Sequence, residues 1–213
     1  MKKERPILMS APMVLAILEG RKTQTRRKGK CQMDKATELG VEYSRHATKG
    51  DVAVATYRAY PDGGSARWGL CECPYGIPGD RLWVRETFQF VHANSDGQRN
   101  TFKTSVKFTV HDYQWIEYAA TPKDNEPPPK WKPSIFMPRW ASRITLEIVK
   151  VRVERLQEIT TADIQKEGVV IDAHHHLDEV YLAAYCLLWE SINGKDSWSK
   201  NPWVWVIEFK RIL

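Results

Sequence analysis

Apolar and polar positions along the chain fall into blocks of differing period. Ile7-Leu8-Met9 is a short apolar run that predicts a strand. Ser10 then stands where a helix N-cap belongs, and Pro12 sits near the first turn. Met13, Leu15, Ile17 and Leu18 supply an apolar side until Gly20 stops the helix. After the turn Pro78-Gly79-Asp80, alternation puts Leu82, Val84, Glu86 and Phe88 on one face of a strand. Residues 143–154 give the strongest strand signal. There Ile144, Leu146 and Ile148 alternate, and then Val149, Val151 and Val153 take over the apolar parity, a phase slip that predicts a bulge or bend. Thr160 and Asp163 have the spacing of a capping box, opening a short helix that Gly168 closes. A second helix is predicted over about 176–193, with Leu177, Val180, Tyr181, Ala184, Leu187, Leu188 and Ile192 on its apolar face. Trp203–Phe209 reads as a strongly apolar final strand.

Between these blocks the pattern weakens. Residues 31–77 are turn-rich, with Val52-Ala53-Val54 as a short strand, and residues 91–130 carry a strand-like patch at 105–118 inside polar sequence. Both read as insertions. Pro133 and Pro138 exclude a helix from the segment 131–143, WKPSIFMPRWASR. Several non-local strands around short helices give an α+β or small β-barrel architecture in a single domain over 1–213.

Composition narrows the class. In 213 residues, an apolar fraction of 42% and nine Trp supply enough material for a packed core. No run of about eighteen apolar residues occurs, so no membrane span is expected, and the basic start lacks a secretory h-region, which predicts a cytoplasmic protein. In that compartment Cys31, Cys71, Cys73 and Cys186 are expected as reduced thiols. The Cys71-x-Cys73 spacing does not match common zinc knuckles, although Cys31 or His46 could complete a site, and no metal or cofactor is assigned. His174, His175 and His176 are consecutive and point in different directions, a poor geometry for one ion.

The net charge is +6, and residues 1–30 hold nine Lys/Arg against two acids. That basic concentration favours a polyanionic partner such as nucleic acid. Much of it lies in Gly20–Arg27, GRKTQTRR. Cations just past a helix end are also favoured by the macrodipole, so some of the charge needs no function.

Three residues have chemistry to offer. A Thr hydroxyl becomes a nucleophile when a base removes its proton, and a Lys depressed by burial or neighbouring cations can be that base. Thr25 and Lys22, beside Arg21, Arg26 and Arg27, meet those conditions. Glu167 stands in the last turn of its helix, where a negative charge opposes the dipole, and could shuttle a proton to a leaving nitrogen. Spacing alone does not bring residue 167 to residues 22–25. Glu86, a lone carboxylate on an apolar face, either pairs with an arginine or lines a polar cavity. Trp131 and Trp140, beside basic residues, are candidate base-stacking platforms, whereas Trp83, Trp203 and Trp205 fit a core.

Four segments together resemble the ASCH domain family, a branch of the PUA-like superfamily, in a longer form similar to prophage-encoded proteins. They are the first helix with GRKTQTRR, the strand PGDRLWVRETF, the stretch ITLEIVKVRVERLQEITTADIQKEGV and the closing WVWVIEFKRI. The resemblance implies a PUA-like β-barrel of five to six strands with flanking short helices, here carrying the insertions at 31–77 and 91–130. It implies a cleft lined by the GRKT loop, with RNA or a modified nucleoside as ligand. Compact members remove acetate from N4-acetylcytidine with a Lys, a Thr and a Glu that fall here on Lys22, Thr25 and Glu167. Arg21 or Arg26 would orient the substrate, and Glu86 and Trp140 are further substrate-binding candidates. The compact enzymes are about half this length, which leaves two alternatives: a non-catalytic reader of nucleic acid or a modified base, and a phage accessory protein whose insertions bind a host protein.

Overall fold

The computed structural model describes residues 2–29, 36–46, 50–59, 67–93, 99–101, 115–122, 130–171 and 178–212. Strand β1 (Glu4–Leu8) leads into helix α1 (Ala11–Leu18), and β2 (Gln24–Lys28) follows. Ser10 occupies the N-cap position without a side-chain cap bond, and Pro stands in the first turn. Gly20 ends the helix at φ +76°, with the Arg21 and Lys22 amides both donating to the Ala16 carbonyl.

Three strands follow: β3 (Ala36–His46), β4 (Gly50–Ala59) and β5 (Arg67–Glu72). Then come β6 (Arg81–Arg85), β7 (Phe88–Ala93), β8 (Arg99–Thr101) and β9 (Trp115–Tyr118). Segment 131–143 is irregular as predicted, with single 3-10 turns at Ser134–Phe136 and Arg139–Ala141. The last elements are β10 (Thr145–Arg155), α2 (Thr161–Lys166), α3 (Asp178–Asn193) and β11 (Trp203–Arg211).

The main sheet has the order β1-β6-β10-β11-β2, antiparallel except for the parallel β1–β6 pair. The ladder between β10 and β11 slips between Ile148 and Lys150, where the apolar parity changes in sequence. One face buries Ile7, Leu82, Val84, Leu146, Trp205 and Ile207 against Val14 and Ile17 of α1. The opposite face carries Val204 and Val206, which pack with Ile164 of α2 and with Tyr181, Tyr185 and Trp189 of α3. The fold is therefore α+β with a multistranded sheet. The expected closed barrel is not found among the described strands: no ladder joins β1 to β2, and only the Arg27 guanidinium spans them, donating to the Leu8 carbonyl at 2.6 Å.

Four further expectations change. The turn-rich segment 31–77 holds the three-stranded sheet β3-β4-β5, and its Ala53, Ala55 and Cys71 enter the main core. Cys71 is disulfide-bonded rather than a reduced thiol, because proximity in the fold, not sequence spacing, decides pairing. Cys73 and Cys186 are free, and burial pushes the Cys73 thiol up to about 11. The strand at 82–88 breaks after Arg85, so Glu86 leaves the ladder and Phe88 starts a separate sheet, β8-β7-β9. In α3 the buried stripe is Tyr181, Tyr185 and Trp189, whereas Leu187 (71% exposed) and Ile192 (51%) face outward.

Of the strand-like patch at 105–118, only Trp115–Tyr118 falls within the described residues. Cys31 and His174–His176 lie outside them, and no cluster of metal-ligating side chains occurs among the described residues. No helix among them is long and apolar enough to cross a membrane.

Candidate functional site

The GRKT loop is stitched to the end of α2 by three successive residues. The Thr23 amide donates to the Lys166 carbonyl at 2.9 Å, Lys22 Nζ to the Glu167 carbonyl at 2.8 Å, and Arg21 Nη1 to the Gly168 carbonyl at 3.0 Å. The carbonyls that a helix end leaves unpaired are thus taken up by one loop. Gly168 makes the approach possible. It turns the chain at φ +87°, and a Cβ there would lie 2.8 Å from Ala16 Cβ and 3.1 Å from Lys22 Cβ.

This stitching brings Glu167 to Lys22. Lys22 Nζ lies 2.7 Å from Glu167 Oε2, with the two side chains 0% and 4% exposed. Burial lowers the Lys22 ammonium below the ordinary lysine value; Glu167 opposes that shift, and Arg27 and Arg26 reinforce it. Arg26 approaches the other Glu167 oxygen at 3.4 Å, reaches Asp163 Oδ2 at 3.0 Å and pairs with Glu154. Arg152 holds the far side of the cluster, 2.9 Å from Glu154 and paired with Glu208. The charge opposing the α2 dipole at Glu167 is therefore answered by two buried cations.

Register places Thr25 and Arg26 on opposite faces of β2. Thr25 pairs with Ile207, which faces α1, and Arg26 with Val206, which faces α3. Because β2 is an edge strand, a cavity of about 50 Å³ runs past its free side. Its walls include Met13 of α1, Thr25 to Lys28, Glu167, and Tyr185 and Trp189 of α3. An adjoining cavity of about 260 Å³ shares Met13, Glu167 and Leu188 and opens between Ser10 and Ala184. Its size approaches the lower end, about 300 Å³, of small-molecule pockets. Thr25 is 2% exposed, and its hydroxyl has no hydrogen-bond partner among the described residues.

The sequence candidates divide accordingly. Thr25, Arg26 and Glu167 line one cavity, and Lys22 lies behind Glu167. Arg21 is half exposed, paired with Glu19, and borders a separate hollow beside α2. Glu86 is 1% exposed and accepts two bonds of 2.9 Å from Arg143, whose guanidinium also lies over the Tyr118 ring at 4.0 Å. Trp140 is 50% exposed and stacks on Phe90 with centroids 5.2 Å apart. Neither Glu86 nor Trp140 lines the cavities at Glu167.

Sequence reasoning missed Tyr185, Trp189, Asp163 and Glu154. For Tyr185 and Trp189 the available signal was their spacing of four and eight from Tyr181, an aromatic stripe that reads as core. No family model, curated protein or solved structure matches the chain.

Proposed function

We propose that the chain is an ASCH-type protein of PUA-like ancestry whose cleft binds a modified cytidine, free or in RNA, and hydrolyses the amide of N4-acetylcytidine. The observation that carries this reading is the buried contact between Lys22 and Glu167, 2.7 Å apart at the back of a cavity that Thr25 also lines.

In this reading a proton passes from Lys22 to Glu167 within the pair, leaving a neutral amine and a carboxylic acid. Thr25 Oγ attacks the acetyl carbonyl and Lys22 takes its proton. Glu167 gives its proton to N4 as the carbon–nitrogen bond breaks, releasing cytidine and an acetyl-threonine ester. Water then attacks the ester, its proton goes to Glu167, and Lys22 returns the proton to Thr25 as acetate leaves. Arg26, already on Glu167, holds the carboxyl in place. The test is acetate release from N4-acetylcytidine by wild type and by Thr25→Ala. Wild-type release that Thr25→Ala abolishes supports the reading, and absence of release from wild type sinks it.

One observation favours the reader alternative. Lys22 Nζ is held by both the carbonyl and the carboxylate of Glu167, and the Thr25 hydroxyl is bonded to neither. In that reading Lys22 stays on Glu167 and the cleft binds its base without turning over. Binding of RNA that weakens steeply with salt, with no acetate released, would identify that role.

A further inference from the structure

The α3 side of the cleft contains donors with nothing to donate to. Trp189 is 4% exposed and its Nε1 has no acceptor among the described residues; the same holds for Nε of Arg26 and of Arg27, and all three residues line the cavity. Tyr185 is 3% exposed, lines the same space, and its hydroxyl has no hydrogen-bond partner among the described residues. Each buried donor left unpaired costs about 1–3 kcal/mol, so several round one cavity call for a common acceptor. The acceptors already present are occupied: Glu167 by Lys22 and Arg26, and the Trp189 carbonyl by Asn193 Nδ2 at 3.0 Å. Burial also holds the Tyr185 phenol well above its ordinary range, and Glu167 adds to that, so the group stays a donor at any physiological pH.

We infer that Tyr185 and Trp189 form the recognition wall of the cleft, donating hydrogen bonds to the carbonyl and ring-nitrogen acceptors on the edge of a planar heterocycle. The two aromatic rings offer apolar faces for the ring, and the phenol and indole N–H read its edge. This deepens the modified-cytidine reading by naming the groups that select the base. It rests on the cleft being a ligand site, not on hydrolysis.

The experiment uses the full chain labelled with 15N-tryptophan, with N4-acetylcytidine and cytidine as probes. The Trp189 indole resonance is assigned by its loss in Trp189→Phe. Titration with N4-acetylcytidine should shift that resonance, and Tyr185→Phe, checked for an unchanged melting temperature, should weaken binding roughly three- to tenfold, the worth of one hydrogen bond. Binding by Tyr185→Phe at wild-type affinity overturns the inference, as does a probe that leaves the indole resonance unmoved. A wild type that binds with these signatures but releases no acetate supports the recognition wall and removes the hydrolytic reading. A wild type that releases acetate while Tyr185→Phe does so with unaltered KM removes the wall and leaves hydrolysis standing.

Discussion

Lys22 Nζ donates at once to the carbonyl and to the carboxylate of Glu167, at 2.8 and 2.7 Å, across 145 positions of sequence. One ammonium therefore caps a helix and neutralises the acid at its end. Any substitution here acts on folding and on chemistry together, and the two effects can be separated only by measuring both.

Lys22→Met should be strongly destabilising, by about 3–5 kcal/mol, because it leaves a buried carboxylate with only the more distant Arg26. Pairing it with Glu167→Leu should recover much of the loss, since both charges are then gone. Urea denaturation of the two single variants and the double variant checks this. A Lys22→Met cost below about 1 kcal/mol would show that the pair is not structural.

Gly168→Ala should cost about 2 kcal/mol or more, combining a left-handed backbone with a Cβ forced against Ala16. Gly194 is the control: its φ is +93°, but nothing lies within 4 Å of an added Cβ, so Gly194→Ala should cost only about 1 kcal/mol. Equal melting-temperature losses in the two variants would refute the close packing of α2 on the GRKT loop.

Thr25→Ala should abolish acetate release while lowering stability by less than about 1 kcal/mol, because the hydroxyl has no hydrogen-bond partner among the described residues. Thr25→Ser should retain part of the activity. The active pair holds one proton between Lys22 and Glu167, so the rate should fall as the pH rises through its loss, below the ordinary lysine value of 10.5, since burial lowers Lys22. A pH-independent rate would exclude Lys22 as the base.

Acid should weaken the fold through Asp163. Burial pushes this carboxyl up, but Arg26 and Arg152 outweigh burial and hold it below its ordinary 3.8. A folded-state value lower than the unfolded one means that the stabilisation is present above about pH 4 and drains away as the pH falls through the folded value. Asp163→Asn should be less stable than wild type at pH 6, and the gap should narrow toward pH 2. A gap that stays constant across that range would mean that the charge of Asp163 contributes nothing.

What sequence could show depended on how local the cause was. The stop at Gly20, the Thr160 cap and the bulge in β10 each arise within a few residues, and each is found where the pattern put it. The conflict between Glu167 and its helix dipole was equally visible, but the answer to it, Lys22 and Arg26, comes from another part of the chain. The buried face of α3 was misjudged because leucines were weighted over tyrosines. Tyr185 lies inward and lines a cavity, whereas Leu187 is left exposed among the described residues. The sheet β3-β4-β5 was hidden because its strands are short of periodic apolar residues and are held by pairing. Glu86 was ambiguous until Arg143, 57 positions away, supplied both of its hydrogen bonds.

The Arg27–Leu8 contact gives the sheet a seam fastened by one side chain instead of a backbone ladder. Arg27 also stands on the wall of the cleft, together with Thr25. The Arg27 guanidinium is thus both part of the cleft wall and the hydrogen-bonded link between the two edges of the main sheet, so a substitution there would act on both at once.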